Sequence, residues 1–226
     1  MNILLVSATS LEIEPLLLQF NLVNVINQKL KSYEYRGHQI DVLIPGVGMT
    51  CTAYWLGKTL NSNLYDAAIN LGLAGSFDDN LSIGQVVNIT SDQISELGTE
   101  DGESFLSLID MDLIMDEDFT LNNGEMENTI CIANPTIDSL PRVKGITVNT
   151  VHGDQESIDK VKGLFHPQTE SMEGAAFFYA CLLEGISCAQ IRSISNKVEQ
   201  RNKDNWNIPL AVRNLCETAL QIIDRL

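Results

Sequence analysis

The chain has 226 residues, 44% of them hydrophobic, and carries 30 Asp and Glu against 14 Lys and Arg, a formal charge of −16. That length and apolar content suffice for one sizeable core, and no shift in composition divides the chain, so a single domain over residues 1–226 is expected. The acidic balance argues against nucleic acid as a partner, since a phosphate backbone calls for clustered cations, but it leaves room for a small molecule held by local polar groups and backbone N–H donors.

The opening Met1–Ala8 has neither the basic start nor the small-residue cleavage site of a signal peptide, and Glu12 and Glu14 interrupt the apolar run behind it. No stretch reaches membrane-spanning length, so no membrane partner is expected. The five cysteines are scattered, odd in number and never spaced as C-x-x-C, which fits a reducing cytoplasm, with each Cys read as buried apolar filler.

In chain order, Asn2–Ala8 reads as a strand and Leu11–Phe20 as a helix. Gln39–Ile44 is a second strand, ending at Pro45-Gly46-Val47-Gly48, and Met49–Leu60 has helix formers with an apolar face. Ala67–Leu73 and Gln85–Ile89 follow as strands, and Ser91–Gly124 is a polar, acidic stretch with few regular cues, read as an excursion near a site or an interface. Gly145–Val151 predicts a strand ending at His152-Gly153-Asp154, Ser157–Leu164 a weak helix, and Glu173–Glu184 a helix apolar on nearly every side. Cys188–Ile194 is the next strand, and the last helix spans Pro209 to Arg225. This alternation predicts a three-layer α/β/α domain around a central mixed sheet, with its ligand beyond the carboxyl ends of the strands.

Four loops stand at that end: Ser7–Glu12, Gly46–Gly48, Gly72–Gly75 and Ser195–Trp206. Gly46-Val47-Gly48 and Gly72-Leu73-Ala74-Gly75 carry little side chain, so their backbone can approach a ligand, although alone either is equally an ordinary strand-to-helix turn. No G-x-G-x-x-G fingerprint or P-loop is present. Glu12 opens a helix, where the dipole alone favours a carboxylate. Glu173, at the mouth of an apolar helix, needs a partner or a ligand; helix capping or pairing with Arg192 is its structural alternative.

Taken in order, Gly46-Val47-Gly48, Gly72-Leu73-Ala74-Gly75, Gly84-Gln85-Val86-Val87, Ser171-Met172-Glu173-Gly174-Ala175-Ala176 and Ile191-Arg192-Ser193-Ile194-Ser195-Asn196 resemble the nucleoside phosphorylase superfamily, especially its nucleosidase branch. The resemblance implies cleavage of a purine N-glycosidic bond without metal or cofactor, in a homodimer. It implies Glu12 as the base that deprotonates water, Glu173 as acceptor for the ribose hydroxyls and Met172 as an apolar ribose contact, with Ala74, Gly75 and Arg192 among the substrate-binding positions. No arginine precedes Arg36, and a carboxylate in the first loop would repel phosphate, so water rather than phosphate is the expected nucleophile.

Adenine-releasing nucleosidases usually carry an aspartic acid where this chain has Asn196. A neutral amide cannot be a general acid, but it can donate to N7 or to a 6-oxo group, which suits hypoxanthine; capping the next loop is the plain alternative. The run Asn196-Lys197-Val198-Glu199-Gln200-Arg201, followed by Trp206, resembles the futalosine hydrolase family, whose substrate is an inosine-like nucleoside with a carboxylated aromatic tail. That resemblance makes Arg201 and Lys197 candidates for the carboxylate and Trp206 for the ring; solvated charges and a packed Trp explain them equally well. Where the adenine-releasing branch stacks a phenylalanine on the base, Gly153-Asp154-Gln155-Glu156 places Glu156, a candidate acceptor for the purine N1–H or merely a helix start, and leaves Phe77 or Phe105 to stack. The alternatives are an adenine-releasing nucleosidase, a phosphate-dependent phosphorylase and a nucleoside-binding protein without turnover.

Overall fold

Strand β1 (Asn2–Val6) shows how the layers arise. Successive strand side chains face opposite ways, and here Ile3 and Leu5 enter one apolar cluster while Leu4 and Val6 enter another, all four at most 1% exposed. A strand buried on both faces must be covered on both, and the helices divide accordingly. In this computed structural model, which describes residues 1–60, 64–102, 104–113, 121–122 and 124–226, α1 (Glu14–Leu17), α3 (Pro135–Ser139) and α6 (Ile208–Ile223) cover the first face. The second is covered by α2 (Met49–Thr59) and α5 (Gly174–Glu184), and α4 (Gln155–Phe165) closes a third, smaller cluster around Phe77, Ile146 and Val148. The result is the α/β/α sandwich around a mixed sheet that the alternation predicts.

The antiparallel strands β2 (Asn21–Val25), β3 (Leu30–Tyr35) and β4 (His38–Leu43) lead to β1, which runs parallel to both β4 and β5 (Ala67–Ser76). Beyond β5 the sheet curls on itself. β5 pairs with β12 (Thr169–Ser171), β12 with β11 (Arg142–Thr147), and β11 with β6 (Val86–Ile94). Strand β13 (Cys188–Lys197) then bonds to both β6 and β5 and closes a five-membered ring of strands. A hairpin of β7 (Gly98–Asp101) and β8 (Ser104–Ser107) stands apart, and the short β9 (Leu121–Asn122) and β10 (Glu125–Glu127) extend the sheet beside β6.

Several sequence expectations need correction. Leu11–Phe20 is not one helix but a 3-10 turn (Ser10–Glu12) and the single turn of α1, because Leu11 and Leu18 lie 73% and 80% exposed and supply no buried face. The β2–β3 hairpin was not anticipated, and β2 is exposed throughout despite its Leu and Val residues. The strand expected over Gly145–Val151 starts at Arg142 and stops at Thr147, and β5, β6 and β13 each run on past their expected ends. Ser91–Ile94 belongs to β6 rather than to an irregular excursion; residues 114–120 of that excursion lie outside the described residues. Cys181, Cys188 and Cys216 are buried, whereas Cys51 and Cys131 are exposed, and all five are free thiols. Among the described residues no helix is long and apolar enough to cross a membrane.

Polar side chains are threaded through the centre of the ring. Asp92, 1% exposed, accepts hydrogen bonds from Thr147 Oγ1 at 2.8 Å and Gln190 Nε2 at 3.0 Å; Gln190 in turn accepts from Arg192 Nε at 3.1 Å. Arg192 also donates to Asn70, and Thr147 Oγ1 accepts the first-turn N–H of Ala175 at 2.7 Å, so the chain fixes the start of α5. Gly174 is required there, since a Cβ would overlap Asp92 and Gln190. Asp92, Thr147, Gln190 and Arg192 thereby partner one another, without which their desolvation would be uncompensated.

Burial pushes the Asp92 carboxyl up to about 6, against the lowering effect of its hydrogen bonds and of Arg192. An unfolded Asp titrates near 3.9, so between these values the folded protein keeps a proton that the unfolded chain has lost, and stability falls as the pH rises through that window. Asp92→Asn should remove this component. Urea unfolding at pH 4 to 7 should show the stability of the variant relative to the native chain improving with pH, by on the order of 2 kcal/mol, and levelling off above about pH 6. A difference that stays constant with pH would show that Asp92 does not titrate in this way.

Candidate active site

The carboxyl ends of β1, β4, β5, β12 and β13 surround a cavity of about 340 Å³, with Glu12, Glu173 and Asn196 in its wall. Each is held by a different local device. Glu12 is the third residue of the turn capped by Thr9, and the sequence Thr9-Ser10-Leu11-Glu12 forms a capping box. Its Oε2 accepts from Thr9 N and Thr9 Oγ1, both at 3.0 Å, while its Oε1 accepts from Leu73 N at 3.1 Å. The carboxylate is pinned from two strands' ends and still lines the cavity.

Glu173 sits at the N-cap position of α5, 6% exposed. Its Oε1 accepts the backbone N–H of Gly48 at 2.9 Å, and its Oε2 lies 4.0 Å from Arg192 Nη1. Burial raises its carboxyl above the usual range, while Arg192 and the Gly48 N–H act to lower it and Glu12 adds to the rise. The Gly46-Val47-Gly48 turn has a specific task in this arrangement. Gly46 and Gly48 both have positive φ, 113° and 97°, and the backbone path they allow delivers the N–H to the carboxylate.

Arg192 was expected at the substrate, but it lies beneath the site, 1% exposed and absent from the cavity wall. It is a buried counter-charge for Glu173. Gly72 makes room for it, because any Cβ there would overlap the guanidinium, and Gly75 likewise admits Val198 and Asn196. Ala74, Gly75 and Met172 line the cavity as expected. Asn196 follows a register shift in β13, and its amide is orientated on both sides: Oδ1 accepts from Ser195 Oγ at 2.7 Å, and Nδ2 donates to Lys197 O at 2.8 Å. A carbonyl can only accept, so the nitrogen end is fixed and one N–H is left over.

At the outer end, Arg201 and Trp206 both line the cavity, with the guanidinium 5.6 Å above the indole ring. Lys197 Nζ is committed elsewhere, donating to Asp78 O at 2.6 Å and Leu81 O at 2.9 Å. Glu156 is not brought to the site. Asp154 caps α4, accepting from Ser157 N at 3.2 Å, and leaves Glu156 exposed in the first turn, where the helix dipole favours it. Phe77 and Phe105 are not in the wall either; they pack edge-on against His152 and Phe165 at 6.2 and 5.6 Å.

The loops Ser7–Glu12 and Ser195–Trp206 were expected at the site, but Thr9 was not singled out within them, and His152 and Glu170 were missed as members of the wall. Thr9 was detectable from the T-x-x-E spacing; the others meet only through the fold. Among the described residues no group of three or more His, Cys, Asp or Glu side chains is arranged to hold a metal ion.

Comparison with known proteins agrees with this fold. Futalosine hydrolase of Thermus thermophilus is 25% identical over 178 residues, covering 79% of this chain and 78% of that protein. Its counterpart from Acidothermus cellulolyticus is 27% identical over 187 residues, 77% of this chain and 71% of that one. The fold matches the methylthioadenosine/adenosylhomocysteine nucleosidase of Colwellia psychrerythraea in complex with adenine, with a TM-score of 0.79 at 16% identity over 99% and 95% of the two chains. It also matches futalosine hydrolase of Helicobacter pylori, with a TM-score of 0.74 at 15% identity over 100% and 98%. The model of the phosphorylase superfamily matches residues 2–225, and with the sheet, the glycine turns and the carboxylates in place, the chain belongs to that superfamily.

Proposed function

We propose that the protein is a purine-nucleoside hydrolase acting on futalosine, releasing hypoxanthine and dehypoxanthine futalosine in menaquinone biosynthesis, as a cytoplasmic homodimer. The observation that carries this reading is the meeting of two carboxylates, Glu12 and Glu173, and one neutral amide, Asn196, in the wall of a single cavity. The names of the sequence relatives point the same way.

Breaking an N-glycosidic bond develops positive charge on the sugar and negative charge on the purine, and a site accelerates it by holding groups that favour both. Glu173 accepts from the ribose hydroxyls and places its negative charge beside the sugar, with Met172 packed against the ring. Glu12 takes a proton from water. The hydrogen bonds from Thr9 and Leu73 hold its carboxylate in place for that task. Asn196 donates its remaining N–H to the base. A 6-oxopurine spreads the departing charge onto its carbonyl oxygen, so this hydrogen bond suffices where an adenine would call for a proton.

Water is favoured over phosphate because the nearest arginine in sequence to the first loop, Arg36, pairs with Asp224 at 3.0 Å and takes no part in the cavity wall. The stacked Arg201–Trp206 pair, with the exposed apolar rim of Leu11, Val47 and Ile208, suits a carboxylated aromatic tail. An adenine-releasing nucleosidase, the activity named for several structural neighbours, is disfavoured by the amide at Asn196.

Purified protein incubated with futalosine should release hypoxanthine at the same rate with and without phosphate, followed by chromatography beside methylthioadenosine and inosine; adenine released from methylthioadenosine alone would overturn the assignment. Glu12→Gln should lower kcat by roughly 10²–10⁴-fold while substrate still binds, measured by single-turnover kinetics and calorimetry, and a near-normal rate would remove Glu12 from its role. Asn196→Asp should shift the ratio of hypoxanthine to adenine release toward adenine in competition assays, an unchanged ratio counting against the amide.

A further inference from the structure

Glu170 and His152 line the cavity and have no part in the mechanism above. Glu170 stands on β12, three residues before Glu173, with a side chain 4% exposed, and His152 lies in the loop after β11 with a side chain 15% exposed. Glu170 Oε2 is 2.7 Å from His152 Nδ1, and the backbone N–H of His152 donates to Oε1 at 3.2 Å and Oε2 at 3.4 Å. Both oxygens are therefore occupied by one residue. Among the described residues His152 Nε2 has no hydrogen-bond partner.

The position of the pair follows from Gly75. A Cβ on that glycine would lie 3.3 Å from Asn196 Nδ2 and 3.4 Å from Glu170 Cγ, so Glu170 and Asn196 flank the same backbone position. Glu12 and Glu173 mark the sugar end of the cavity. Glu170 and His152 therefore sit with Asn196 at the base end. The ring of Phe77 packs edge-on against the imidazole, with centroids 6.2 Å apart.

We propose that His152, orientated by Glu170, is the residue that selects the base: its Nε2 accepts the N1–H of a 6-oxopurine. This rests on reading the cavity as a 6-oxopurine nucleosidase site. A carboxylate only accepts, so the pair selects the tautomer with the proton on Nδ1 and the lone pair on Nε2. Hypoxanthine has a hydrogen on N1 to match that lone pair. Adenine presents a lone pair there, so two acceptors face each other and neither is satisfied. His152 takes the role that the sequence gave to Glu156, which the fold leaves at the surface. Glu170 is a positioning residue, acting through His152.

The test measures selectivity, which a merely structural clamp on the loop would leave alone. Calorimetry on the native protein should find hypoxanthine bound at least about tenfold more tightly than 1-methylhypoxanthine, which lacks the N1 hydrogen. His152→Leu should lower the kcat/KM ratio of futalosine over its 6-amino analogue by about tenfold or more, and His152→Gln, whose amide oxygen can accept, should restore part of it. Glu170→Gln should lower the same ratio with the side chain of His152 intact. Equal losses on both nucleosides, or equal binding of hypoxanthine and its 1-methyl derivative, would overturn the proposal; the binding measurement holds even if the variants fail to fold. Failure of the native protein to release hypoxanthine from futalosine would instead overturn the functional reading beneath it.

Discussion

A carboxylate taken out of water has to be met by donors, and most of the local oddities of this chain exist to meet one. Glu173 is almost wholly buried, with no water to solvate its charge. It is met by one backbone N–H and one guanidinium, and each imposes a further condition. The N–H comes from Gly48 through a turn with two positive φ angles. The guanidinium of Arg192 fits only because Gly72 has no side chain, and it is itself anchored on Asn70 and Gln190, the latter bound to Asp92. Three segments far apart in sequence are thus constrained by one carboxylate.

The same arrangement explains why two acidic groups can face one cavity. Glu12 and Glu173 repel one another, and that repulsion adds to the effect of burial on Glu173. Glu12 is held within its own turn by the capping box and from β5 by the N–H of Leu73, whereas Glu173 is met by the N–H of Gly48 and the guanidinium of Arg192. One carboxylate is held by its own turn and the other by the centre of the sheet.

How much of this was legible in sequence depended on how local each device is. The apolar run around Glu173, the paired glycines and the amide at Asn196 stand in contiguous motifs, and the three-layer fold follows from strands that alternate with helices. The capping box of Glu12 is also contiguous and was there to be seen in Thr9-Ser10-Leu11-Glu12. His152 and Glu170 lie 18 positions apart and meet through pairing of β11 with β12, which no local pattern encodes. Glu156 was misplaced for the opposite reason: a motif position drew attention to it, while the cap supplied by Asp154 turned it to solvent. Arg192 was placed at the substrate by the resemblance, whereas the fold shows the alternative, its pairing with Glu173, and the partners that permit its burial are spread from Asn70 to Gln190.

The ring of strands also sets an order of events during biosynthesis. An open sheet can grow strand by strand, each addition leaving a usable edge. Here β13 is the closing member, bonded to β5 on one side and β6 on the other, and its residue Cys188 pairs with Ala68, 120 positions earlier. Closure over so long a loop is slow relative to helix formation, and it has to wait until β13 has left the ribosome. Asn196 arrives on that same strand. The cavity wall is therefore completed late: a nascent chain carries Glu12 and Glu173 before β13 closes the ring and brings Asn196 between them and the outer end of the wall.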